Sequence, residues 1–258
     1  MLLKNHYRTI IISDVHLGTK DSKAKEVVRF LKANTCDKLI MNGDIIDGWR
    51  LKKTGKWGKK HTRFFKTIIK MMKKHKTQVI YVRGNHDDFL DNVIPLTVGN
   101  FSVVKDYLLE SNGKRFFVTP GDVFDTVTSK LRWLAKLGDI GYTFLLWLNK
   151  IYNARRLKKG LPYYSFSKEI KQKVKSAVSY ISDFEKELAN LAKGKNYDGI
   201  ICGHIHHPSI VTYDNIIYMN SGDWIESLSA LAEDGKGNWK ILHYSQLLAE
   251  EKEKLDIL

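Results

Sequence analysis

Residues 8–18 read RTIIISDVHLG. Three isoleucines after a threonine make a short β-branched run, the composition of a buried strand. That strand delivers Asp14-Val15-His16, a carboxylate and an imidazole, to the loop beyond it. The pattern recurs: residues 38–41 run into Gly43-Asp44, Gln78–Val82 into Gly84-Asn85-His86-Asp87, and Gly199–Cys202 into Gly203-His204-Ile205-His206. Between the first three strands, Ala24, Val27, Val28 and Leu31 mark a helix over 22–33, and a second helix is predicted around 60–74. Strand, helix and strand in alternation predict right-handed crossovers in a largely parallel sheet, with functional groups beyond the carboxyl ends of its strands.

Working outward, Ser111-Asn112-Gly113-Lys114 reads as a hairpin turn between strands at 106–110 and 115–118. After residue 125 the pattern is helical, and strands return at 199–202, 210–213, 216–219, 228–232 and 239–244. The expectation is an α/β fold in which two sheets pack as a sandwich between helices. Its core spans 1–125 and 196–258, and an inserted helical cap spans 126–195. The 258 residues, 43% hydrophobic, suffice for one such core. The two cysteines, Cys36 and Cys202, lie far apart in strand-like contexts, which predicts reduced buried thiols rather than a disulfide scaffold. The N-terminus runs straight into the first strand with no room for a cleavable signal, so the predicted location is cytoplasmic. Lysine and arginine outnumber acids 43 to 28 for a net +15, which favours a phosphate-rich partner or an anionic membrane surface.

Hard oxygen ligands and imidazoles converging from neighbouring strand ends suit a pair of divalent cations about 3.5–4 Å apart, the arrangement that drives in-line phosphoester hydrolysis. Asp14 and His16 alternate around one residue and can address one ion. Asp44, from the next strand, is the natural bridging carboxylate. Asn85 offers a neutral carbonyl oxygen, and His204 and His206 can serve different ions from one loop. The mixed O/N set suits Mn²⁺, with Fe²⁺ and Zn²⁺ as alternatives.

The ordered series resembles the calcineurin-like metallophosphoesterase superfamily, whose pattern is Asp-x-His, Gly-Asp, Gly-Asn-His-Asp or Glu, a further histidine, and Gly-His-x-His. Within it the chain is most similar to the bacterial UDP-2,3-diacylglucosamine pyrophosphatase group, on residues 12–18, 42–47, 120–125 and 220–224. The resemblance implies a four-layer α/β/β/α sandwich with a helical cap and two divalent ions. Asp14, His16, Asp44 and His206 would hold one ion; Asp44, Asn85 and His204 would hold the other. His86 would stand beside the phosphate as a catalytic group, with Asp87 orienting its ring. Two departures matter. The best-known lipid A pathway enzymes resemble Gly-Asn-Arg-Asp where this chain has Gly-Asn-His-Asp, and Pro120 stands where the family's His-Gly-Asp places a metal ligand. Proline supplies no side-chain donor, so the second site is expected to be weakened. His207 and His243 are the candidate replacements, although His207 should point away from the site by alternation with His206.

Residues 125–160 crowd apolar side chains, Trp133 and Trp147 among them, ahead of Arg155, Arg156, Lys158 and Lys159. That pairing suits an acyl-chain-binding cap or an interfacial membrane contact. A basic helix is predicted over 168–187, where Lys171 and Lys175, together with Arg83, are candidate substrate-phosphate contacts. Asp47, Trp49, Asp223 and Trp224 are read either as cleft floor or as turn and packing residues. The leading substrate is a nucleotide-linked lipid such as UDP-2,3-diacylglucosamine. The alternatives are a nuclease or cyclic-nucleotide phosphodiesterase, for which nucleic acid is the partner, and a membrane-associated binding protein with little activity, which Pro120 would favour.

Overall fold

The computed structural model describes residues 5–122, 155–156 and 167–256. The chain forms two compact units, Met1–Val123 with Leu188–Leu258, and Phe124–Glu187. The first contains two sheets, built in chain order from β1 (Asn5–Ile12), β2 (Asn34–Asn42), β3 (Gln78–Val82), β4 (Leu96–Val98), β5 (Phe101–Val104), β6 (Tyr107–Ser111), β7 (Lys114–Val118), β8 (Gly199–Cys202), β9 (Ser209–Tyr213), β10 (Ile216–Asn220), β11 (Ser229–Glu233) and β12 (Trp239–His243). The helices are α1 (Ala24–Ala33), α2 (Gly48–Thr54), α3 (Lys59–His75), α4 (Ser167–Gly194) and α5 (Tyr244–Asp256), with a 3-10 helix at Asn85–Val93.

One sheet has seven strands in the order β12-β11-β1-β2-β3-β5-β4; the other has five, β6-β7-β8-β10-β9. β1, β2, β3 and β5 are mutually parallel, as the crossover pattern predicts, and β7, β8 and β10 repeat the parallel arrangement in the second sheet. The sandwich closes on alternate residues: Ile11, Ile40, Ile80 and Val82 from the first sheet meet Leu109, Phe116, Val118, Ile201 and Met219 from the second. The intervening positions, Ile10, Ile12, Leu39, Met41, Val79 and Tyr81, face the opposite way into a cluster with Val27, Leu31, Phe64, Ile68 and Leu247 of the covering helices. Strands buried on both faces read as continuous apolar runs, which is why the inner end of β1, Ile10–Ile12, shows no polar alternation.

The α/β architecture with two sheets and helices matches the expectation. The structure adds α2, the 3-10 helix, β4 and β5, elements too short to carry a readable period. Lys171 and Lys175 lie on α4 at positions whose side chains are not described, and Trp133 and Trp147 lie outside the described residues. No helix among the described residues is long and apolar enough to cross a membrane. Cys36 and Cys202 are free and buried, and burial raises the Cys36 thiol far above its usual range.

Candidate metal centre

The loops after β1, β2, β3 and β8 meet at one end of the sandwich, and their backbones continue the pairing of the strands that feed them. Asp14 N–H donates to Gly43 O at 3.1 Å, His16 N–H to Asp44 O at 2.9 Å, and Gly43 N–H to Val82 O at 2.9 Å. The loops approach so closely that only glycine fits at two points. A Cβ at Gly84 would collide with the Asp44 carboxylate and backbone, and one at Gly203 with the Asp14 carboxylate and Ser13. Five candidate ligands, Asp14, His16, Asp44, His204 and His206, take left-handed backbone, with φ of 50, 47, 54, 71 and 56°. That conformation costs an L-residue about 1–2 kcal/mol. Such strain gathers where surrounding structure over-determines it, and functional sites are the usual places.

One donor group is complete on its own. Asp14 Oδ1 lies 3.4 Å from His206 Nε2 and 3.9 Å from His16 Nε2, and the three offer ligand atoms close enough to share one ion. Each imidazole is backed by a second carboxylate: His16 Nδ1 faces Asp47 Oδ2 at 3.7 Å, and His206 Nδ1 faces Asp223 Oδ1 at 4.0 Å. Carboxylates behind Nδ1 leave Nε2 to face the ion and make the ring a better donor. Asp223 is itself fixed by the amides of Ile225, Glu226 and Ser227. Burial works against the charge on Asp14, but the His206 and His16 imidazoles outweigh it and hold the carboxyl at about 2. Burial likewise opposes the His206 cation, and Asp14, with Asp223 and Glu226 behind it, lifts the ring to about 9.

The second group is organised differently. Burial, followed by the charges of Asp14 and Asp87, pushes the Asp44 carboxyl well above its ordinary range; a cation beside it would relieve both causes. The Asn85 amide lies 3.1 and 3.0 Å from the two oxygens of Asp44, to which its NH2 donates in one orientation; turned over, the same amide would offer its oxygen to a cation. His204 is buried on the same rim, its N–H donating to Asp14 Oδ2 at 3.0 Å. Pro120 is buried against Gly43, and its carbonyl accepts from Gly203 N–H at 3.1 Å. The Thr119-Pro120-Gly121 loop therefore reaches the site with a ring that holds no donor. His16, Asp44 and His86 form another triad with ligand atoms close enough to share an ion. The oxygen and imidazole donors, the strained ligand backbones and the raised Asp44 fit divalent cations.

His86 departs from the expectation in its partner. Asp87 is fully buried and spends its oxygens on Tyr81 Oη (2.7 Å) and on the amides of Ile45, Ile46 and Gly84. Its carboxyl is raised to about 6, chiefly by burial. It clamps the Gly43–Asp44 loop to the end of β3. The carboxylate beside the imidazole is Asp47, with Oδ1 3.3 Å from His86 Nδ1. Asp47 is held far below the usual carboxylate range: burial opposes its charge, and His16, the Arg50 amide and His86 overcome it. Trp49 completes the wall, its ring 4.2 Å from that of His86 and its Nε1–H donated to Asp88.

Arg83, read as a phosphate contact, is closed in a two-pronged pair with Asp91 at 2.7 and 2.6 Å and stands 3.6 Å from Asp122. Its fork is spent on carboxylates, so it latches the end of β3 to its surroundings. His207 is exposed, as alternation predicts. His243 ends β12, which β11 separates from β1, and belongs to no metal-competent group among the described residues. Asp47 and Asp223 are site residues, whereas Trp224 is fully buried against Phe30 and Tyr244 and is a packing residue. Tyr81, which donates to Asp87, gives no signal in the sequence, because it lies inside an apolar strand.

A family model described as calcineurin-like phosphoesterase matches residues 7–208. Among solved structures, a predicted phosphoesterase from Streptococcus pneumoniae TIGR4 is similar at 15% identity, over 93% of this chain and 90% of that one, with a TM-score of 0.39. An archaeal phosphodiesterase is 12% identical over 91% of this chain and 98% of that one, with a TM-score of 0.43. A hypothetical protein from Pyrococcus horikoshii OT3 is 10% identical over 98% and 94%, with a TM-score of 0.45. A search of curated proteins finds no match.

Proposed function

Because the chain belongs to the calcineurin-like phosphoesterase family, a family of metal-dependent phosphoester hydrolases, we propose that it uses two divalent ions, Mn²⁺ first among candidates, to cleave a nucleotide-linked lipid such as UDP-2,3-diacylglucosamine. The observation that carries the hydrolytic reading is the convergence of Asp14, His16, Asp44, His86 and His206 in two overlapping metal-competent groups. Asp14, His16, Asp44 and His206 would hold one ion; Asp44, Asn85 and His204 would hold the other. Bound there, the ions supply Lewis-acid activation of the phosphoryl group and of the attacking water. The chain's own residues do the rest. His86, aimed by Asp47, holds a proton for the leaving oxygen, and Trp49 covers the outer face of its ring. Asp87 keeps the Asp44 loop in place from beneath.

The lipid part of the reading is supported by the apolar and basic sequence at 125–160, and the cytoplasmic face of a membrane is the setting that suits such a substrate and two free cysteines. Mn²⁺-dependent release of UMP from UDP-2,3-diacylglucosamine, measured beside unacylated UDP-N-acetylglucosamine, cyclic AMP and single-stranded DNA, tests it. The diacylated substrate should turn over fastest. Faster cleavage of the cyclic nucleotide or of DNA would move the protein to the phosphodiesterase or nuclease reading. Vesicle binding with no hydrolysis of any of them would leave a binding protein.

A further inference from the structure

Residues 50–76 contain ten lysines, two arginines and no aspartate or glutamate. Of the chain's net charge of +15, this stretch carries +12. It comprises most of α2 and all of α3, whose 17 residues extend about 26 Å. One face of α3 is buried through His61, Phe64, Thr67, Ile68 and Met71. The other presents Lys59, Arg63, Lys66, Lys70, Lys73 and Lys74, all exposed and spaced three and four residues apart. Like charges at that spacing repel, and surface helices ordinarily intersperse both signs. Among the described residues, none of these six stands within ion-pair distance of a carboxylate; in this stretch Lys52 does, 3.9 Å from Asp88. Large apolar side chains are exposed within or beside the same stretch of sequence: Trp49 is 42% exposed, Trp57 41% and Ile69 49%.

We propose that α2 and α3 form a docking face for an anionic lipid surface. A row of uncompensated charges with exposed tryptophans beside it is the composition of a helix lying in a membrane interface, where indole rings settle among headgroups. The position suits the site: α2 starts at Gly48, directly after Asp47, and its Trp49 lies on His86. Docking this face would hold the mouth of the metal centre at the surface. The inference rests on the charge of α2 and α3 and not on the substrate proposed above, and binding and hydrolysis are read separately.

Co-sedimentation of the full chain with vesicles tests it. Binding is expected to mixed phosphatidylcholine and phosphatidylglycerol vesicles but not to phosphatidylcholine alone, and it should fade as salt is raised. The triple variant Lys66→Gln, Lys70→Gln, Lys73→Gln should bind about 100-fold more weakly, at about fivefold per charge. Its Tm and its Mn²⁺-dependent hydrolysis of a soluble aryl phosphodiester should be unchanged. Should the triple variant fail to fold, the pair Lys59→Gln, Arg63→Gln reads the same face, with a loss of about 25-fold. Absence of binding to the anionic vesicles, or equal binding by the variants, would overturn the proposal. So would tighter binding of a single-stranded oligonucleotide that the same substitutions abolish, which would assign the face to nucleic acid.

Discussion

The two halves of the metal centre share a floor and differ in their backing. Around Asp14, two imidazoles approach with Nε2, and each has a carboxylate behind its other nitrogen, Asp47 for His16 and Asp223 for His206. Around Asp44 stand the Asn85 amide, His204, whose backbone N–H donates to Asp14, and the ring of Pro120 packed on Gly43. Losing the outer partner of a metal ligand typically costs 10–100-fold in affinity. On the proposed two-ion reading, the first half, with both of its rings backed by carboxylates, is expected to hold its ion more tightly than the second, to which Pro120 brings no donor.

The largest effect expected is from Asp14→Ala, which removes the carboxylate that joins the first half. Tight Mn²⁺ binding should vanish from calorimetric titrations, and hydrolysis should fall on the order of 10³-fold. If high affinity survives, the complete half lies elsewhere. Next come the backing carboxylates. Asp223→Ala should weaken the first ion about 10–100-fold, whereas Asp47→Ala should do the same and also lower kcat at saturating metal, because His86 loses its partner. Equal kcat in the two variants would detach Asp47 from the chemistry. Pro120→His should strengthen the second ion by about tenfold and leave the first unchanged. Two equally tight ions in the parent chain, measured by equilibrium dialysis, would remove the distinction between the halves.

The smallest effect is a matter of protons. Asp14 is held at about 2 and His206 is lifted to about 9. Their mutual stabilisation is therefore complete between about pH 4 and 6.5, and is lost as pH falls through 2 or rises through 9. An ion that takes His206 Nε2 must displace the proton. Near pH 7.5 the first ion should release at least the His206 proton, and above pH 10 that contribution should be gone. Calorimetry in buffers of different ionisation enthalpy counts them, and zero release at pH 7.5 would place His206 outside the ligand set.

Much of this was legible in the residues. Every strand that feeds the site shows as an apolar run ending in a ligand-bearing loop, because strands buried on both faces cannot disguise themselves with polar alternation. The hairpin at Asn112-Gly113 was equally plain, since that dipeptide accepts the left-handed backbone found there. The partner of His86 was not legible. Asp87 is its neighbour in sequence, but the backbone turns between them and sends Asp87 under the Asp44 loop, while Asp47 arrives from a different strand end. Nor does a sequence reveal that Arg83 is already engaged: Asp91 lies eight residues on, across a 3-10 helix whose turns show no period. Proximity across loops is decided by strand order, which local patterns do not encode.

Asp47 also has a third attachment, since its Oδ1 accepts the Arg50 amide at 2.7 Å and so begins α2. One carboxylate thus starts a helix and stands against two imidazoles, His16, a proposed metal ligand, and His86, the proposed proton donor. The three tasks make opposing demands on any replacement. Asparagine has the same reach and could still begin the helix but loses the charge and one acceptor, whereas glutamate keeps the charge but moves it outward by a methylene. A residue outside the proposed ligand set is thereby constrained from three sides at once.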